Sequence, residues 1–150
     1  MLKPGGYLQW DETDASTLAC QTPSPEIVAP ATETLVRLQS IFSAQNKLSA
    51  DWLHDLPAML EGHGCEIVAN ESVKPCNELS RAWSDNMLMV WHGVVSMLPE
   101  SPIPLPPGMG LPETVSRKSY AELLARSTEE TSKGAAMGMM YHVLVARKSS

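Results

Sequence analysis

The first apolar run of the chain follows a turn. Lys3-Pro4-Gly5-Gly6 suits a type II turn, because Pro presets a negative φ and Gly accepts the positive φ at the next corner. Tyr7 to Trp10 then reads as a short strand, stopped by the polar run Asp11-Glu12-Thr13-Asp14. Cys20 to Pro30 carries three prolines and reads as a loop. From Thr32 the period changes: Leu35, Leu38, Ile41 and Phe42 recur at steps of three and four, predicting a helix from a Thr32 cap to about Leu48. Asp55-Leu56-Pro57 marks a second helix start, with Asp as cap and Pro in the first turn, and Gly62 or Gly64 ends it.

Cys65 to Val73 alternates Cys65, Ile67 and Ala69 with Glu66, Val68 and Asn70, the pattern of a strand with one strongly apolar face. Asn77 is placed to cap a third helix, in which Leu79, Trp83, Met87, Val90, Trp91 and Val94 form one stripe. Leu98 to Pro112 holds six prolines and two glycines and reads as an extended connection, a lid or a linker. A fourth helix is expected from Glu113 to Lys133, with Tyr120, Leu123, Leu124 and Ser127 inward and Glu122, Arg126, Glu129 and Glu130 outward; Gly134 stops it. Met139 to Arg147 is a final strand rich in β-formers. The alternation of strands with helix pairs argues an α/β class, but not a strand order.

The 150 residues, 43% of them hydrophobic, suffice for one ordinary core, so one domain or part of one is expected. The net charge of -6 and the scattered Lys and Arg argue against a nucleic-acid partner. No apolar run reaches the length of a membrane span, and the start lacks the pattern of a secretion signal, so a soluble, cytoplasmic chain with no membrane partner is expected. Cys20, Cys65 and Cys76 form neither a CxxC pair nor a disulfide framework. His54, His63, His92 and His142 lack the spacing that sets two imidazoles on one helix face, so no metal site is expected.

Three stretches carry a family resemblance. Leu2-Lys3-Pro4-Gly5-Gly6-Tyr7-Leu8 resembles the entry to the fifth strand of class I S-adenosylmethionine-dependent methyltransferases, and Gln9-Trp10-Asp11-Glu12 continues it in the manner of the small-molecule methyltransferases of fungal secondary metabolism. Trp52 through Leu56-Pro57-Ala58-Met59-Leu60 with Gly64 and Cys65-Glu66-Ile67-Val68, then Tyr141 to Lys148, follow in the family's order. The resemblance implies the C-terminal part of a Rossmann-like methyltransferase fold: about three strands in spatial order first, third, second, the last antiparallel to the others, with four helices. It also implies S-adenosylmethionine as cofactor and a small metabolite as methyl acceptor.

In open α/β sheets ligands sit beyond the carboxyl ends of the strands, where Trp10, Asp11 and Glu12 are expected. Asp11 or Glu12 then suits a general base taking the acceptor's proton, with Trp10 as an apolar wall. The plainer reading makes both acids solvated strand-end residues. The Trp83, Met87, Trp91 stripe lines a substrate pocket if the resemblance places its helix on the substrate side, and packs a core otherwise. The family's glycine-rich cofactor loop, and the acid that binds the ribose, have no counterpart in these residues, so no cofactor-binding residue is named. Gly108-Met109-Gly110 lies in a proline-rich loop with no strand before it, the wrong context for a nucleotide loop. Two readings follow: a methyltransferase inactive as this isolated chain, or a non-catalytic module that completes a sheet with itself or a partner chain through its first strand.

Overall fold

A computed structural model describes residues 2–46, 49–74, 76–108 and 110–149, with only the backbone of Asn77 and Glu78. The elements run β1 (Tyr7–Gln21), α1 (Pro30–Gln45), α2 (Asp51–Gly62), β2 (Cys65–Val73), α3 (Asn77–Val95), β3 (Ile103–Pro104), β4 (Thr114–Val115), α4 (Arg117–Ser132) and β5 (Ala136–Lys148). The class is α/β, with four helices. One sheet has the order β1-β5-β2, which is the expected first, third, second; β3 and β4 form a separate pair. The chain divides into two compact units, residues 1–18, 42–75 and 139–150, and residues 19–41 and 76–138.

In the first unit the opening turn closes as the residues dictate. Gly5 takes φ +75°, and the Gly6 N–H donates to the Lys3 carbonyl at 2.9 Å. The turn is tied to the end of β5, since Gly5 N–H donates to Lys148 C=O and Lys148 N–H to Gly6 C=O. β5 therefore runs antiparallel to β1. It also runs antiparallel to β2, from Cys65 opposite Lys148 to Val73 opposite Tyr141, with a register shift between Ile67 and Ala69. Cys65, Ile67 and Ala69 are half-buried and Glu66, Val68 and Asn70 exposed, as the alternation requires. α2 begins at Asp51 rather than Asp55; the Ser49 hydroxyl accepts the Asp51 N–H at 3.0 Å and Pro57 lies inside the helix. A proline there removes one helical hydrogen bond, and the helix absorbs it.

β1 is longer than expected. It continues through Asp11-Glu12-Thr13-Asp14 to Gln21, because Asp14 is buried rather than solvated. Its ladder is re-routed locally: Asp14 Oδ1 accepts the Ser16 N–H at 2.9 Å, and the Thr17 hydroxyl donates to the Asp14 carbonyl at 2.6 Å while accepting the Met140 N–H at 2.8 Å. An Asx side chain that bonds its own backbone two residues on competes with regular pairing.

The second unit holds most of the large buried side chains. Leu35, Leu38 and Ile41 of α1, Leu88 and Trp91 of α3, and Tyr120, Leu123 and Leu124 of α4 are all buried. α1 starts at Pro30, so Thr32 is not its cap. Glu130, expected to point outward on α4, performs that role: its two oxygens accept the Ala31 and Thr32 N–H groups at 3.0 and 2.8 Å. A carboxylate suits the positive end of a helix. The expected C-terminal bound of α1 at Leu48 lies outside the described residues.

α3 starts at Asn77 with Cys76 as N-cap, and the expected capping side chain of Asn77 is not described. Its buried face is Ser80, Ser84, Leu88 and Trp91, while Leu79 and Val90 of the expected stripe are exposed. α4 starts at Arg117, capped reciprocally by Ser116 and Ser119. The preceding Thr114–Val115 is taken up by pairing with Ile103–Pro104, so the proline-rich connection is a small hairpin with Leu105 and Val115 buried. Gly134, at φ +108°, ends the helix region as expected. No helix among the described residues is long and apolar enough to cross a membrane.

Candidate functional site

The sequence-predicted site residues fall in both units. Asp11 is exposed in mid-strand, not at a strand end, and both its oxygens accept from the Gln9 amide at 3.1 and 3.0 Å. Those residues share a strand face, as i and i+2 must. Glu12 is half-buried and accepts the Thr13 N–H at 3.0 Å. Trp10 meets Trp52 of α2 edge-on, ring centres 6.0 Å apart, and both indoles are exposed. Trp83 and Met87 on α3 in the second unit are half-buried, and Trp91 is only 2% exposed.

A different group is drawn together in the first unit. Asp14 of β1, His54 of α2 and His142 of β5 bring one ligand atom each within 4.8 Å of one another. Both imidazoles aim Nε2 at the same carboxylate oxygen: His54 Nε2 and His142 Nε2 each stand 3.7 Å from Asp14 Oδ2. The rings meet edge to face, centroids 5.3 Å apart at 87°. The other ends are held. Asp14 Oδ1 accepts from the Ser16 N–H at 2.9 Å and its hydroxyl at 2.6 Å, and His142 Nδ1 lies 3.2 Å from the Ser72 hydroxyl of β2, where Ser72 pairs with His142 across the sheet.

Burial is graded across the cluster. The side chains of Asp14, His142 and His54 are 3%, 16% and 59% exposed, so the group opens to solvent on the His54 side. Burial pushes the Asp14 carboxyl up, but the Ser16 hydroxyl and N–H, with the nearby His142 and His54, outweigh it and hold the group below its ordinary value. The Ser72–His142–Asp14 line is not an acyl-transfer triad, because 3.7 Å is too long for the imidazole–carboxylate hydrogen bond such a triad needs.

Sequence reasoning missed this cluster because its members lie far apart in the chain on three elements, and because Asp14 sits in a polar run that reads as a strand stop. The one local signal is Asp14-Ala15-Ser16-Thr17, an Asx-type pattern inside a strand. Gly108 and Gly110, at φ +82° and +65°, belong to the loop between β3 and β4. Among the described residues no glycine follows a strand and opens a helix, the setting in which backbone approaches a nucleotide closely. Compared with protein families, curated proteins and solved structures, the chain matches none.

Proposed function

We propose that this chain is the closing, substrate-side part of a cytoplasmic S-adenosylmethionine-dependent methyltransferase of small metabolites, Rossmann-like in fold and belonging to secondary metabolism. The observation that carries the reading is the sheet order β1-β5-β2 with β5 antiparallel in the middle, behind a Lys3-Pro4-Gly5-Gly6 turn at the start of β1. The described residues do not fit the cofactor: among them no glycine builds a strand-to-helix loop. Cofactor binding is therefore assigned to residues outside these 150, and the chain alone is inactive.

Within this reading Asp11 or Glu12 accepts the acceptor's proton; Glu12 is half-buried and shares its strand face with Trp10, the apolar wall. Trp91, almost wholly buried, is given to packing. Titration calorimetry with S-adenosylmethionine tests the assignment. The 150-residue chain gives no stoichiometric heat, whereas the chain extended by its upstream coding segment binds one molecule and transfers labelled methyl to a small acceptor. Stoichiometric binding by the 150 residues, or none by the extended chain, contradicts the reading.

One observation favours a second reading. β1 spans 15 residues at the edge of its sheet, with Tyr7, Gln9 and Trp10 exposed. An unprotected edge of that length is a template for another strand, so a non-catalytic module would associate through β1 with a second copy or a partner chain. Light scattering tests self-association through β1: a monomer that persists across concentrations removes it.

A further inference from the structure

We infer that Asp14, His54 and His142 form a binding site for one divalent first-row transition ion, independent of the methyltransferase reading. The first argument is spacing. Two donor atoms each about 2.1 Å from one tetrahedral ion stand about 3.4 Å apart. The two Nε2–Oδ2 separations are 3.7 Å, so each of these pairs need close by only a few tenths of an ångström, and all three donor atoms lie within 4.8 Å of one another. The same 3.7 Å is too long for a direct hydrogen bond, so the imidazoles converge on Oδ2 without engaging it in one.

The second argument is the outer shell. Metal-bound histidines almost always commit their other ring nitrogen to a neighbour, and ligating carboxylates are themselves hydrogen-bonded. His142 Nδ1 sits 3.2 Å from Ser72 Oγ, and Asp14 Oδ1 takes two hydrogen bonds from Ser16. In the tautomer whose Nδ1–H donates to Ser72, His142 presents the Nε2 lone pair on the side of Asp14. Both anchored ligands are thus oriented before any ion arrives, Oδ2 and Nε2 facing one point.

The third argument is access and chemical class. Asp14 is buried and His142 half-buried, while His54 is 59% exposed on its side chain and able to adjust. Three protein ligands with a solvent-facing side leave at least one position for water or a small oxygen ligand, as in open zinc sites rather than closed structural ones. Two imidazoles with one carboxylate select zinc, cobalt or ferrous iron over calcium and magnesium, which prefer oxygen ligands.

The test uses the 150-residue chain stripped with a chelator. Cobalt(II) is followed by its visible absorption and zinc(II) by calorimetry. One ion per chain binds at about micromolar concentration or below, millimolar magnesium does not compete, and His54→Ala and His142→Ala each weaken binding at least about ten-fold. His54→Ala changes an exposed side chain and keeps the far-ultraviolet dichroism of the parent, so its loss of binding is not unfolding. Ser72→Ala weakens binding less than either ligand change. Absence of stoichiometric binding below about 1 mM, or binding that both histidine variants leave unchanged, overturns the assignment. Neither result depends on S-adenosylmethionine, so this inference and the proposed function fail separately.

Discussion

Glu130 Oε2 stands 2.8 Å from the backbone nitrogen of Thr32, 98 residues earlier in the chain, and the same oxygen accepts the buried Thr32 hydroxyl at 2.8 Å. One side chain of α4 thereby satisfies the first turn of α1, which has no cap of its own sequence in that role. Thr32 also shares a 2.9 Å hydrogen bond with Ser127, so the two helices are joined by a small buried polar network.

Removing the Glu130 carboxylate leaves two helix N–H groups without their acceptor. Glu130→Ala is expected to cost about 2 kcal/mol, the scale of a lost cap plus a partly buried hydrogen bond. Glu129→Ala, one position away on the exposed face and paired with Lys133, leaves the urea midpoint nearly unchanged. Equal shifts for the two variants would contradict the capping role.

Two serines on one face of α3 should behave differently. Ser84 Oγ accepts the buried Met137 N–H at 2.7 Å and donates to the Ser80 carbonyl, also at 2.7 Å. Ser80 Oγ, equally buried, has no hydrogen-bond partner among the described residues. Ser84→Ala orphans a buried N–H and costs about 1–3 kcal/mol, whereas Ser80→Ala is neutral or slightly stabilising. Chemical denaturation of both variants checks the contrast, and a loss for Ser80→Ala as large as for Ser84→Ala would contradict it.

Asp14 makes stability depend on acidity. Its folded carboxyl titrates below the ordinary value of 3.8, so the ionised form contributes stability that is fully present above that pH. The contribution is lost as pH falls from 3.8 through the folded value. The parent is therefore expected to lose more stability than Asp14→Asn between pH 5 and pH 2, read from urea midpoints at each pH. Parallel profiles would contradict the depressed value.

Thiol labelling should separate the cysteines. Burial, followed by the nearby Glu33 and Glu130 carboxylates, pushes the Cys20 thiol up to about 11, while Cys76 is exposed. Because the thiolate is the reacting form, about one Cys20 in a thousand is reactive at pH 8. A disulfide reagent at pH 8, read by peptide mapping, is expected to modify Cys76 first and Cys20 last; equal rates at the two sites would contradict this.

Much of the scaffold was legible in the residues. Periodic leucines marked α1 and the buried face of α4, alternation marked β2, and the Pro4-Gly5 pair marked the turn that Gly5 closes at φ +75°. The strand order needed more than periodicity, since alternation names elements and not neighbours; it came from the family resemblance. What escaped was polar. Ser80 and Ser84 define the buried face of α3, so a stripe counted on apolar residues falls about one residue to the side. Glu130 looked solvent-facing because its partners lie 98 residues away. Asp14 looked like a strand stop because only its tertiary neighbours, Ser16 apart, make its burial tolerable. His54 and His142 carry no shared spacing and meet only because α2 and β5 bring them to one carboxylate.

The central claim is that these residues close a methyltransferase sheet begun elsewhere. Sequencing the complete transcript upstream of the Met1 codon tests it most directly. The account predicts an in-frame segment with a strand running into a glycine-rich loop and a second strand ending in an acid. An in-frame stop immediately upstream, with no such segment joined by splicing, would contradict it.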